Sequence, residues 1–185
     1  MTTLIVPRMP RPRCLVHPGL AGVVRIRSCV AAASRHFRLH LEPGRNLQDA
    51  IVQPLSELGV TCACMTVLGG AFSSMSFCVA PPDPTGERAA AYSSPIDAGR
   101  ALLIFGNATM GTDTHGRLML HCHGVLRNQA GQTRGGHIVA HGSIVASGGV
   151  TVLATVLDGV ELRITPDDET RMPVFLPFLS ESLHV

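Results

Sequence analysis

Lysine is absent from this 185-residue chain, and charged residues of any kind make up only 15% of it. Histidine aside, every basic side chain is therefore a guanidinium, whose planar fork of donors suits phosphate and carboxylate. A nucleotide-composition bias toward arginine codons would leave the same trace. Also missing is any run of about 18 uninterrupted apolar residues such as crosses a bilayer. The most apolar early stretch, residues 20–33, is interrupted by Arg25 and Arg27, so no membrane partner is expected. Residues 1–13 carry prolines and arginines where a secretory signal needs an unbroken apolar region and a small-residue cleavage site. The expected location is the cytoplasm. No internal repeat or heptad is visible, which argues against solenoids and coiled coils.

Hydrophobic residues, by contrast, reach 45%, with a mean hydropathy of +0.27. Such a chain is too apolar for disorder, and its length can bury the core of one domain without disulfides or metal staples. The apolar surplus points to self-association. Six cysteines (Cys14, Cys29, Cys62, Cys64, Cys78 and Cys122) lie mostly inside apolar runs and read as reduced, buried small hydrophobes. Cys62-x-Cys64 has one intervening residue where a zinc knuckle has two. Charge is unevenly placed. Residues 1–45 hold eight arginines against one acid, and residues 46–185 hold seven against twelve.

Pro7, Pro10, Pro12 and Pro18 make residues 1–21 a basic, extended arm. Residues 23–30 and 35–42 then read as a strand pair, the second with Phe37, Leu39 and Leu41 alternating against Arg38, His40 and Glu42. Asn46 is a good N-cap for a helix with Leu47, Ile51, Leu55 and Leu58 at helical spacing, stopped by Gly59. Pro54 inside it predicts a kink or break. Residues 60–68 and 71–79 are apolar on both faces, as buried strands joined by a turn or bulge at Gly69-Gly70 would be. Residues 81–98 form a long loop of Pro, Asp, Gly, Ser and Ala. Strand character returns at 99–110 and 117–127, a glycine-rich connection spans 128–136, and residues 137–146 and 150–157 complete the sheet. The expected class is α+β, mainly antiparallel, with one or two helices.

The segment with most chemistry is Leu118-Met119-Leu120-His121-Cys122-His123. On a strand, His121 and His123 share one face while Leu120 and Cys122 share the other. Two imidazoles so placed chelate one ion at about 2.0 to 2.1 Å each. His137, returning through Gly135-Gly136, supplies a third ligand, with His141 four residues on as the reserve. Three protein ligands and an open fourth position characterise an exchanging or catalytic zinc site. Asp158 and Glu161 are candidate carboxylate partners. With nine histidines in the chain, a His-x-His pair also arises by chance. His17, His36, His40, His115 and His184 show no local partners and are expected to face solvent.

The order of these motifs resembles the plant- and prokaryote-conserved (PPC) domain. Leu41-Glu42-Pro43-Gly44, the helix, Glu57-Leu58-Gly59-Val60 and Gly69-Gly70-Ala71-Phe72-Ser73 look like its first half. Gly99-Arg100 with the apolar run after it, His121-Cys122-His123-Gly124, Gly135-Gly136-His137 and Pro166-Asp167-Asp168-Glu169-Thr170 match its second half, over about residues 35–178. Ala101 and Leu102 replace the aromatic and acidic positions usual there. The resemblance implies a PPC-like domain at 22–179 that assembles as a homotrimer, with His121, His123 and His137 as metal ligands. The implied fold is also similar to that of acetolactate decarboxylase, a zinc enzyme with a His-x-His pair and a later histidine. Plant relatives bind DNA through a separate Arg-Gly-Arg-Pro hook; Arg8-Met9-Pro10-Arg11-Pro12-Arg13 keeps its basic, proline-rich character without the glycine.

Two functions follow. The first is a non-enzymatic trimeric module, DNA-binding or regulatory, with a histidine metal site. The second is a zinc-dependent enzyme of lyase or hydrolase type on a small carbonyl or carboxylate substrate, with Arg134 or Arg100 orienting the carboxylate. No general base or nucleophile accompanies the histidines, which favours the binding module.

Overall fold

Alternation of apolar and polar residues makes β1, Ala33–Leu41, a strand with Leu41 buried and Arg38 and His40 exposed. The structure, a computed structural model, describes residues 15–22, 24 and 26–180. Within them, residues 26–30 are not extended into a strand, so β1 has no partner on its N-terminal side. It pairs instead with β6, Ile144–Asp158, in continuous antiparallel register from Ala33↔Asp158 to Leu41↔Val150.

The helix α1, Leu47–Glu57, starts where Asn46 accepts a hydrogen bond from the Asp49 amide (2.8 Å). Leu47, Ile51 and Leu55 are wholly buried, and Gly59 at φ +72° ends the helix. Leu58, expected on the apolar face, is 55% exposed and belongs to the cap, and Pro54 does not break the helix. Proline removes one backbone donor at a cost of about 3 kcal/mol. Burying three large aliphatic side chains, each contributing about 1.5 to 3 kcal/mol, outweighs it.

Apolar residues on both faces produce β2, Ala63–Cys78, one strand of 16 residues where two were expected. Gly69 and Gly70, at φ +116° and +150°, form a bulge in it rather than a turn. After the loop come β3 (Ile96–Thr112), β4 (Leu118–Asn128) and β5 (Thr133–Ile138). Residues 137–146 are not one strand: a 3-10 turn, Ala140–Gly142, separates β5 from β6. A last hairpin, β7 (Val160–Asp167) and β8 (Met172–Leu179), extends the fold past the expected final strand.

The strands form one sheet in the order β1-β6-β2-β5-β4-β3-β7-β8, and β2 also pairs with β3. That extra pairing closes β2, β5, β4 and β3 into a ring, with β6–β1 and β7–β8 as wings. Every pairing is antiparallel except the single β3–β7 contact, Thr112↔Arg163. The α+β, mainly antiparallel class is therefore observed, with one α-helix among the described residues. Gln48, itself buried, fastens α1 to β4: it donates to the Leu118 carbonyl (3.4 Å) and accepts from the Leu120 amide (3.1 Å).

Burial separates neighbouring leucine and isoleucine roles in α1. In chemical denaturation at fixed protein concentration, Ile51→Ala should lower stability by about 2 to 5 kcal/mol, whereas Leu58→Ala should change it by less than about 0.5 kcal/mol. Equal losses would contradict the packing described.

Candidate metal centre

The core dictates which way β4 faces. Leu120 is 5% exposed and Cys122 is completely buried, so the alternate positions His121 and His123 lie together on the opposite face. His137 on β5 stands directly across from His123, and Thr109 on β3 directly across from His121. β5 reaches this position by wedging between β4 and β2, where His137 pairs with Cys78. The approach is close. A β-carbon at Gly136 would lie 2.3 Å from the Cys78 carbonyl oxygen, so glycine is needed there.

The three imidazoles converge. One ligand atom from each of His121, His123 and His137 lies within 4.8 Å of the others. Ring centroids are 4.8 Å apart for His121–His123, 4.7 Å for His121–His137 and 5.5 Å for His123–His137. Tetrahedral nitrogen ligands at 2.0 to 2.1 Å from an ion stand about 3.4 Å apart, a difference that small ring rotations close. The donor set also fits an ion chemically. Nδ1 of His137 is buried with no hydrogen-bond partner, an arrangement that costs about 1 to 3 kcal/mol unless a ligand satisfies it.

Two aromatic residues back the cluster. The Tyr92 ring lies 5.1 Å from that of His137, and Phe175 meets His121 edge-on at 6.4 Å. Neither was singled out in the sequence. Tyr92 is the sole tyrosine of the chain, in a loop whose composition carries no periodicity. Phe175 lies in β8, where three prolines (Pro173, Pro177 and Pro166 opposite) mask the strand pattern.

The remaining candidates lie elsewhere. His141 is exposed in the 3-10 turn and does not share the face of His137, because the strand expected there is interrupted. Asp158 pairs with Arg35 (2.9 Å), and Glu161 with Arg163 (2.8 Å), so both carboxylates are engaged by arginine. Arg134 alternates with Gly135 and so leaves β5 on the face opposite His137. Arg100 lines a separate open groove with Arg127. His17 and His36 are not without partners: His17 Nδ1 is 2.7 Å from Glu169, and His36 Nδ1 is 3.2 Å from the Thr155 hydroxyl. His40 and His115 are exposed. The described cysteines are free, with Cys62, Cys78 and Cys122 buried, Cys29 half-buried and Cys64 exposed. Cys14, His184 and the Arg8–Arg13 segment lie outside the described residues.

Burial, then the neighbouring His137 and His123, pull the His121 pKa down to about 4. Burial, then His123, lower that of His137. Both rings are thus neutral acceptors at pH 7. In the unfolded chain a histidine titrates near 6.5, so between about pH 6.5 and 4 the unfolded state binds more protons. Stability contributed by neutral His121 is present above pH 6.5 and is lost as pH falls toward 4. In metal-free protein, the melting temperature should fall across this window, and His121→Gln should flatten the fall; an unchanged slope would contradict the assignment. Burial also pushes the Cys122 thiol up to about 12, which leaves it an inert core filler.

Comparison with known proteins places this architecture. The profile of the Plants and Prokaryotes Conserved (PCC) domain matches residues 30–158, which is more than half of the chain. No curated protein matches it. Among solved structures, a metal-containing protein from Archaeoglobus fulgidus is similar at 18% identity and TM-score 0.67, over 82% of this chain and 99% of that one. A PPC protein from Pyrococcus horikoshii is similar at 19% identity and TM-score 0.59, over 89% and 100%. A candidate DNA-binding protein from Ralstonia eutropha is similar at 17% identity and TM-score 0.57, over 75% and 88%. At such identities the likeness is one of fold. The profile match carries the family: this chain belongs to the Plants and Prokaryotes Conserved domain family.

Proposed function

We propose that the protein is a homotrimeric binding module that holds one zinc ion per chain on His121, His123 and His137, with the fourth position open to a small molecule. A buried, unpartnered Nδ1 on His137, in a ring clustered with two further imidazoles, is the observation that carries this reading. Neutral imidazoles in a set of three suit zinc with an exchangeable fourth ligand. The metal content named for the Archaeoglobus fulgidus relative supports it. The domain is taken as residues 22–179, ending with β8, and residues 1–21 as its basic arm. Unpaired cysteines suit a reducing compartment such as the cytoplasm.

Self-association has its own support. Phe105 (51% exposed) stands directly across from Val125 (42% exposed), and Leu68 on β2 is 47% exposed. Apolar side chains that meet across strands on an open face favour burial by another copy. Turnover is the weaker reading. A zinc-dependent lyase or hydrolase would use the same open position, but among the described residues no carboxylate joins the cluster to move a proton.

DNA binding is a second reading, supported by the arginine-rich first 45 residues and by the name of the Ralstonia eutropha relative. Phosphate contacts by several arginines would make affinity fall steeply with salt.

Elemental analysis of protein purified without an affinity tag should find close to one zinc per chain, and His123→Ala should lower it below about 0.2. A parent chain already below that level would remove the metal site. Sedimentation should give a mass three times that of the chain, with Phe105→Asp shifting it toward the monomer. In an electrophoretic titration, DNA binding that weakens sharply between roughly 50 and 200 mM salt is the result expected of the second reading; no shift at the lower salt would discard it.

A further inference from the structure

A cavity of about 390 Å³ opens beside the metal centre, and its lining differs in character from the centre itself. Its lining includes His121 of the histidine cluster together with Thr109, the register partner of His121, and Tyr92, whose ring packs on His137. One wall comes from β7–β8, where Ile164 and Phe175 are register partners and therefore point to the same side. Both stay half-buried, covered on one side and open to the cavity on the other. Leu15 and His17, from the segment preceding β1, complete the lining, and that segment is fastened to the β7–β8 turn by Gly19 N–H donating to the Glu169 carbonyl (2.9 Å) and by the His17–Glu169 contact.

The lining holds no arginine or carboxylate, and Nδ1 of its His17 is already bonded to Glu169. No lining arginine would hold a second negative charge on a ligand, so an ion on the three histidines would be its principal anchor. The cavity is of the size usual for small-molecule sites. At about 30 Å³ per water it equals roughly a dozen water volumes, room for a molecule of about ten non-hydrogen atoms.

We propose that this cavity binds a small monocarboxylate with an unbranched or aromatic apolar body, its carboxylate on the open metal position and within reach of Tyr92 and Thr109, its body against Ile164 and Phe175. The proposal rests on the metal reading above. It goes further in fixing the ligand class: one negative charge, no second polar end, and affinity that grows with apolar length. Dicarboxylates and sugars are disfavoured, because a second polar group laid against Ile164, Phe175 and Leu15 loses water without gaining a hydrogen bond.

The test uses the full chain loaded with cobalt(II) in place of zinc, whose visible absorption reports a change of ligand. Titration with acetate, butyrate and hexanoate should show tightening by about threefold to fourfold per added methylene, and succinate should bind no better than acetate. Ile164→Glu should take up cobalt as the parent does yet weaken hexanoate at least about tenfold, because it puts a carboxylate in the apolar wall. A cobalt-loaded parent with a flat chain-length series, or an Ile164→Glu chain that binds hexanoate as the parent does, overturns the cavity assignment alone. A parent that takes up no cobalt overturns the metal reading and the cavity's polar anchor together.

Discussion

The facing of β4 is the constraint on which the site depends. A strand offers alternate residues to opposite sides, so sliding β4 by one position would send His121 and His123 into the core and Leu120 and Cys122 to the histidine face. Two interactions prevent this. Leu120 and Cys122 are buried in the core, and Gln48 grips the backbone of Leu118 and Leu120 from the helix. The amide of Gln48 is buried, so losing either bond would leave a polar group unsatisfied at a cost of about 1 to 3 kcal/mol. Helix, core and site are therefore coupled: the residues that place the histidines are apolar or amide side chains with no chemistry of their own.

Closure of the sheet supplies the third ring. β5 is short, and it joins the ring only by fitting between β4 and β2, which needs the bare backbone at Gly136. Its arrival places His137 beside Tyr92 and leaves Nδ1 buried without a partner. Desolvation and the mutual repulsion of protonated rings both favour the neutral imidazoles. With His121 and His137 held neutral, each offers an unprotonated ring nitrogen to a cation, and Nδ1 of His137 has no partner within the protein.

How much of this was legible in the chain depends on whether the signal is local. The β1 alternation, the Asn46 cap, the Gly59 stop and the shared face of His121 and His123 each follow from residues within a few positions of one another, and each is found. Pairing across long separations was not readable in the same way. Gly69-Gly70 is compatible with a turn or a bulge, and only the partners β3 and β6 decide for the bulge. Nothing in residues 137–146 announces the 3-10 turn, so local pattern alone extends the strand through His141 where the structure interrupts it. The β7–β8 hairpin went unread because prolines and half-buried positions weaken its pattern. With it went Phe175 and Ile164, which wall the cavity.

The apolar patch and the histidine cluster share a face of the sheet. Phe105 and Val125 are register partners two residues from Asn107 and His123, so the exposed side chains run directly into the histidine cluster. His123 is the exposed ring of the three. In the assembly proposed above, a copy covering Phe105 and Val125 would also shield the edge of the site on which His123 lies. Removing water there strengthens the attraction between an ion and its ligands, while an ion that bound only the folded chain would stabilise the strands that carry the patch. Assembly and metal binding would then reinforce each other through one β3–β4 hairpin, because the same strands carry the histidines and the surface that seeks a partner.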